Sequence, residues 1–220
     1  MSAPSSEAEL KNLALLAIGS KPLTNFENTD DTTAITVNLL YDQCRRELLR
    51  SGLFNFARKR ATLLLDPTAA PAFDYQGAYL QPDDCLKVHH VGTEYDQWYP
   101  YYHDIEGRYI YYGQTYYSNA TANSIKIEYT KDVSDPTQMD ALFIKVLRHY
   151  LAYQLCMPLT GNLEAHVLLE RNYMKAYAEA QAVCHLERPS RVINRDPIAE
   201  ARDDIEASSF DVQVPDSAWS

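Results

Sequence analysis

Ile125-Lys126-Ile127-Glu128-Tyr129-Thr130 and, a few residues further on, Asp135-Pro136-Thr137-Gln138 decide how this chain is read. In the first stretch apolar and charged side chains alternate, the period of a strand with one buried face. In the second, Asp135 can cap a helix, Pro136 suits its first position, and Gln138 stands where a capping-box partner belongs. Met139, Leu142, Phe143, Val146, Leu147, Tyr150 and Leu151 then recur at helical spacing until Pro158, which is expected to stop the run. The change of period marks the border between a sheet region and a helical one.

Working outward from that border, a further helix is expected over residues 163–186, with Leu168, Leu169, Tyr173, Ala176, Ala180 and Val183 facing inward. Toward the N-terminus, residues 61–65, 86–91 and 108–112 are short, rich in β-branched or aromatic residues, and separated by Pro, Gly, Asn and Asp. With residues 125–130 they predict a small, mostly antiparallel sheet. Before it, Leu10, Leu13, Ala14, Ala17 and Ile18 give one face of a helix that Gly19 ends. Thr29-Asp30-Asp31 can cap the next helix, over residues 32–51, whose inward side carries Ala34, Val37, Tyr41, Cys44 and Leu48 and which Gly52 closes. The expected fold class is α+β. A bundle of four helices (residues 1–56 and 132–186) carries an inserted small antiparallel β-rich domain (57–131), and an extended C-terminal arm follows (187–220).

That arm contains Pro189, Pro197 and Pro215, alternating charges and few apolar residues, so it cannot bury enough surface to fold alone. Phe210, Val212, Val214 and Trp219 are its sparse anchors; a partner-bound arm and an unstructured tail both fit.

The composition constrains function more by exclusion. The net charge is −10, and the only compact basic cluster is Arg58-Lys59-Arg60, which argues against a protein that grips nucleic acid by its phosphates. An acidic surface is compatible with DNA sliding past. Nothing near eighteen consecutive apolar residues appears, so no membrane span is expected, and residues 1–9 lack the basic-then-apolar pattern of a signal peptide. Cys44, Cys85, Cys156 and Cys184 are widely scattered, fitting neither a zinc site nor a disulfide scaffold and suggesting a reduced, cytoplasmic origin.

Catalytic chemistry is sparse as well. His89 and His90 are neighbours in an expected strand and point to opposite faces, so they cannot share one metal. His149 and His166 lie on separate expected helices and can meet only across the bundle, near Cys156. Asp83-Asp84-Cys85 reads as a turn before a strand. No Gly-rich phosphate loop or Gly-x-Ser-x-Gly elbow is present among seven glycines. No enzyme activity, cofactor or metal is expected. The conspicuous feature is aromatic: residues 95–117 hold Trp98, Tyr99, Tyr101, Tyr102, Tyr109, Tyr111, Tyr112, Tyr116 and Tyr117. Such rings serve a protein interface, a sugar platform, a stacking surface for single-stranded bases, or the sheet's own core.

Several blocks, in order, resemble one family. Ala14-Leu15-Leu16-Ala17-Ile18-Gly19-Ser20-Lys21-Pro22-Leu23 resembles the Ile-Gly-x-x-Pro opening of the head-to-tail adaptors (tail tubular protein A) of short-tailed bacteriophages, the podoviruses. Leu53-Phe54-Asn55-Phe56-Ala57-Arg58-Lys59-Arg60-Ala61 is similar to that family's Trp-x-Phe-Ala-x-x-Arg passage into the sheet, with Leu53-Phe54 in place of the usual Pro-Trp. Leu80-Gln81-Pro82-Asp83-Asp84-Cys85-Leu86-Lys87-Val88 resembles its Leu-Pro-x-Asp-Cys-Leu-x-Val strand entry. Glu128-Tyr129-Thr130 through Asp135-Pro136, with residues 143–159, resembles its third helix and the turn after it.

The resemblance implies a structural virion protein, one subunit of a dodecameric connector ring that joins the portal protein to the tail nozzle (tail tubular protein B) and lines part of the DNA ejection channel. It implies that Phe210, Val212, Val214 and Trp219 bind the portal or a neighbouring subunit. In such a ring Arg58 and Arg60 are expected at a subunit boundary, paired with carboxylates there, and the resemblance implies that Trp98, Tyr99, Tyr101 and Tyr102 meet the tail or its fibres. The location implied is the portal vertex of the virion. The alternative is a carbohydrate- or single-stranded nucleic-acid-binding module built on the tyrosine-rich sheet.

Overall fold

A computed structural model describes residues 6–27, 30–69, 71, 75–92, 102–113 and 123–187, with Tyr102 described by its backbone only. Over the described residues the fold is α+β, four helices with two small antiparallel three-stranded sheets. The described residues up to Leu186 belong to one compact unit.

Helix α1 (Glu7–Ala17) is capped by Ser6, whose hydroxyl accepts from the Glu9 N–H at 3.2 Å. Gly19 ends it at φ +77°, a left-handed conformation open to glycine. Helix α2 (Thr32–Ser51) starts at Asp31, whose carboxylate accepts from the Thr33 N–H at 2.8 Å. Its expected inward residues Ala34, Val37, Tyr41, Cys44 and Leu48 are all buried. Asn12 ties the intervening loop down: its side chain donates to the Leu23 carbonyl and accepts from the Leu23 N–H.

Three readings at the second helical pair need correction. Asp135-Pro136-Thr137-Gln138 caps a separate 3₁₀ turn, Pro136–Gln138, instead of the long helix. Helix α3 (Ala141–Thr160) has its own cap, Asp140, accepting from the Leu142 N–H at 2.7 Å. Pro158 lies inside α3 and does not stop it. It sits in the last turn, so the backbone hydrogen bond it removes leaves only Leu159 and Thr160 of the helix beyond it, and Gly161 at φ +63° closes the helix. Helix α4 (Leu163–Leu186) buries Leu169, Ala176 and Ala180, but Leu168 and Val183, expected inward, are exposed. Helix α3 packs against all three other helices and carries the centre of the helical core, including Phe143, Val146, Leu147, Leu151 and Leu155.

The sheet region is richer than its sequence suggested. One sheet has the order β1-β6-β3, from β1 (Arg58–Leu64), β6 (Ser124–Lys131) and β3 (Cys85–Gly92). The other has the order β2-β5-β4, from β2 (Gly77–Leu80), β5 (Tyr109–Gly113) and β4 (Tyr102–Glu106). Neither β2 nor β4 was expected, and one sheet was expected where two form. Leu63, Val91, Ile125, Ile127 and Tyr129 from the first sheet and Tyr79, Ile110 and Tyr112 from the second make one apolar cluster. Each such buried aliphatic side chain contributes about 1.5–3 kcal/mol. Because β6 is the central strand, its alternation holds only in part: Ile125 and Ile127 are buried and Lys126 is exposed, yet Glu128 and Thr130 are buried too. Strand β3 shifts register twice against β6, between Cys85 and Lys87 and between Val88 and His90. These irregularities bend the strand.

Candidate functional site

The basic cluster Arg58-Lys59-Arg60 lies on β1, and pairing with β6 distributes its charges over two faces. Arg60 is directly opposite Glu128, and Arg58 is one pair further along the same face. Both arginines form ion pairs with the buried Glu128, Arg58 through Nη2 and Arg60 through Nε at 3.5 Å. The carboxylates expected across a subunit boundary thus have a counterpart inside the chain, although the Arg60 side chain remains 79% exposed and presents charge outward. Glu128→Gln is expected to cost about 1–3 kcal/mol of stability, because it takes the anion from two arginines at a buried position. Thermal unfolding of the variant checks this, and an unchanged midpoint would show that both cations are satisfied elsewhere.

Lys59 faces the other way. Its Nζ donates to Asp84 Oδ2 at 3.0 Å and lies 5.9 Å from the centre of the Tyr129 ring, while the Tyr129 hydroxyl donates to Asp84 Oδ1 at 2.9 Å. Burial works against the Asp84 charge, but hydrogen bonds from Lys59 and Tyr129 outweigh it and hold the carboxyl below the usual range. Asp83 and Asp84 form the turn before β3, closed by the Cys85 N–H donating to the Pro82 carbonyl at 3.0 Å.

The candidate nucleophiles and ligands do not converge. Among the described residues no group of three or more His, Cys, Asp and Glu is placed to hold a metal ion. His89 Nε2 is 2.6 Å from the Thr130 hydroxyl. His166 stacks on Tyr153 with ring centres 4.4 Å apart, and His149 Nε2 is 3.2 Å from Arg148 Nη2. Cys156 Sγ contacts Thr160 Oγ1 and the Asn162 carbonyl. Burial pushes the Cys44 thiol up to about 12 and the Cys85 thiol up to about 11, so neither carries appreciable thiolate near neutrality.

What the geometry does offer is surface. Leu163 (65% exposed), Val167 and Met174 (59%) recur along the outer side of α4, with Leu168 beside them. On α2, Ile35 and Leu39 (71% exposed) form a second apolar patch, followed along the same stripe by the exposed Asp42 and Arg46. Their spacing repeats by three and four residues, as in helix-packing seams. Sequence periodicity missed the α4 patch because it assigned Leu168 to the core and gave Leu163, Val167 and Met174 no role. A third surface is aromatic: Tyr75, Tyr111 and Tyr109 stand in file on the second sheet, with ring centres 6.1 and 6.3 Å apart and near-parallel planes. Trp98, Tyr99 and Tyr101 lie outside the described residues, as do Phe210, Val212, Val214 and Trp219; Tyr102 begins β4.

No helix among the described residues is long and apolar enough to cross a membrane. The chain matches no protein-family model and no curated protein.

Proposed function

We propose that the chain is a structural ring subunit, the head-to-tail adaptor of a short-tailed phage, joining portal protein to tail nozzle around a channel through which DNA passes without sequence-specific binding. One observation carries the reading: a single chain displays two unlike apolar patches, one on α4 and one on α2. Exposed large aliphatic residues in series mark contact surfaces, and two different patches that mate between copies build a head-to-tail assembly, which closes into a ring when the rotation permits. The ordered blocks that resemble the adaptor family support the same reading. In it, Phe210, Val212, Val214 and Trp219 anchor the arm to the portal or a neighbour, Arg60 faces the next subunit, and Trp98, Tyr99, Tyr101 and Tyr102 meet the tail or its fibres.

Native mass measurement of the full chain, alone and with portal protein, tests it. The expected result is a large ring, or an assembly that forms once portal is added. Val167→Glu combined with Met174→Glu is expected to reduce assembly at least tenfold. It should shift unfolding by no more than about 0.5 kcal/mol, since both side chains lie on the surface. A chain that stays monomeric in both settings would overturn the proposal.

A further inference from the structure

Strand pairing places Asp104 opposite Tyr111 and Glu106 opposite Tyr109, so both acids rise from the same face as the file of tyrosines. Asp66 stands at the end of that file, where the Tyr109 hydroxyl donates to its Oδ2 at 3.3 Å. Its other oxygen accepts from the Thr68 hydroxyl and N–H at 2.6 and 2.9 Å. Those Thr68 hydrogen bonds hold the Asp66 carboxyl below its ordinary range, so it remains an anion. Asp104 and Glu106 are exposed. The nearest cation along the hairpin, Arg108, is already paired with Asp83.

We infer that this face binds an arginine-bearing segment of a partner protein. A guanidinium is planar, lies favourably over a tyrosine ring and pairs with carboxylates through a fixed fork of donors. Three carboxylates around a row of phenol rings satisfy both requirements, and the chain's net charge of −10 draws a basic partner toward it. The same carboxylates repel the phosphates of single-stranded nucleic acid. A neutral glycan gains nothing at long range from that charge. Recognition runs through side chains and not through strand addition, because Asp104 Oδ1 already accepts the Ile105 N–H at 2.7 Å and blunts the β4 edge. The inference does not depend on ring formation, because the face is complete in one chain.

The test uses the full chain and a short fluorescent peptide of alternating arginine and glycine, with citrulline and lysine versions as controls. Saturable binding is expected for the arginine peptide, weaker binding for the lysine version and none for citrulline. Asp104→Asn with Glu106→Gln, both exposed and outside the core, should weaken binding at least tenfold with unchanged thermal unfolding. Raising salt from about 50 to about 200 mM should weaken it several-fold. No binding by the parent chain would overturn the inference. So would binding indifferent to the acid substitutions, or an oligosaccharide or single-stranded oligonucleotide that binds while the arginine peptide does not.

Discussion

An Asp132→Ala variant is expected to unfold with a free energy about 3–5 kcal/mol below that of the parent chain. Asp132 follows the last residue of β6, and its carboxylate receives Arg45 Nη1 on one oxygen and Arg46 Nε, at 3.0 Å, on the other. The Arg45 side chain is only 2% exposed. Its remaining partners are the Val133 carbonyl at 2.8 Å and the exposed Asp42 carboxylate at 3.2 Å. Burial opposes the charge on Arg45, and the hydrogen bond and field of Asp132 more than offset it, so the guanidinium is held more firmly protonated than in water. An arginine cannot shed its proton to escape burial. Removing Asp132 therefore leaves a cation in the interior, where it had joined α2 to the sheet's exit. The Asp132 N–H also donates to the Asp84 carbonyl at 2.7 Å, which ties the same point to the turn before β3.

Urea denaturation at equal slope measures this loss. Arg45→Met combined with Asp132→Leu is the informative companion. Replacing both charges by apolar groups removes the desolvation cost with the attraction, so the double variant should lie within about 1 kcal/mol of the parent. An Asp132→Ala variant that loses less than about 1 kcal/mol would show that Arg45 is adequately held by Asp42 and Val133 alone.

The helices were legible because each carries an apolar stripe at helical spacing, even where single positions such as Leu168 were misplaced. Asp31 and the residues from Ala34 to Leu48 are a case in which cap and period agree. Pro158 misled because only two residues of the helix follow it, so the turn it disrupts is nearly the last, a matter of position that residue type alone does not convey. Strand β2 escaped notice since Gly77-Ala78-Tyr79-Leu80 is short and buried through Tyr79, and β4 since its described side chains are all exposed. Period-two patterning needs one wet face and one dry face, and neither strand has that contrast. The burial of Glu128 was likewise hidden, because its arginine partners come from a strand more than sixty residues earlier in the chain. The acid-flanked tyrosine file depends on cross-strand register between β4 and β5, which composition announces only as an excess of tyrosine.

Phe143→Ala is the second substitution with a large expected effect, again about 3–5 kcal/mol. Phe143 is fully buried on α3 and meets Phe54 edge-on, with ring centres 4.8 Å apart and planes at 76°, while Phe56 approaches at 5.0 Å. Phe54 and Phe56 belong to the link between α2 and β1, so one ring on α3 fixes the place where the chain turns from helix to sheet. Phe54 is itself confined at Gly52, since a Cβ added there would come within 2.3 Å of its ring. A cavity that cannot close keeps its full cost, so Phe143→Leu, which retains most of the volume, should lose only about 1–2 kcal/mol. The ring–ring contact can be separated from the cavity by a double-mutant cycle. Phe54→Ala with Phe143→Ala should cost less than the sum of the single losses by about 0.5–1.5 kcal/mol. Strict additivity would mean that the two rings fill space independently and that their edge-on geometry contributes nothing to holding the helix-to-sheet turn.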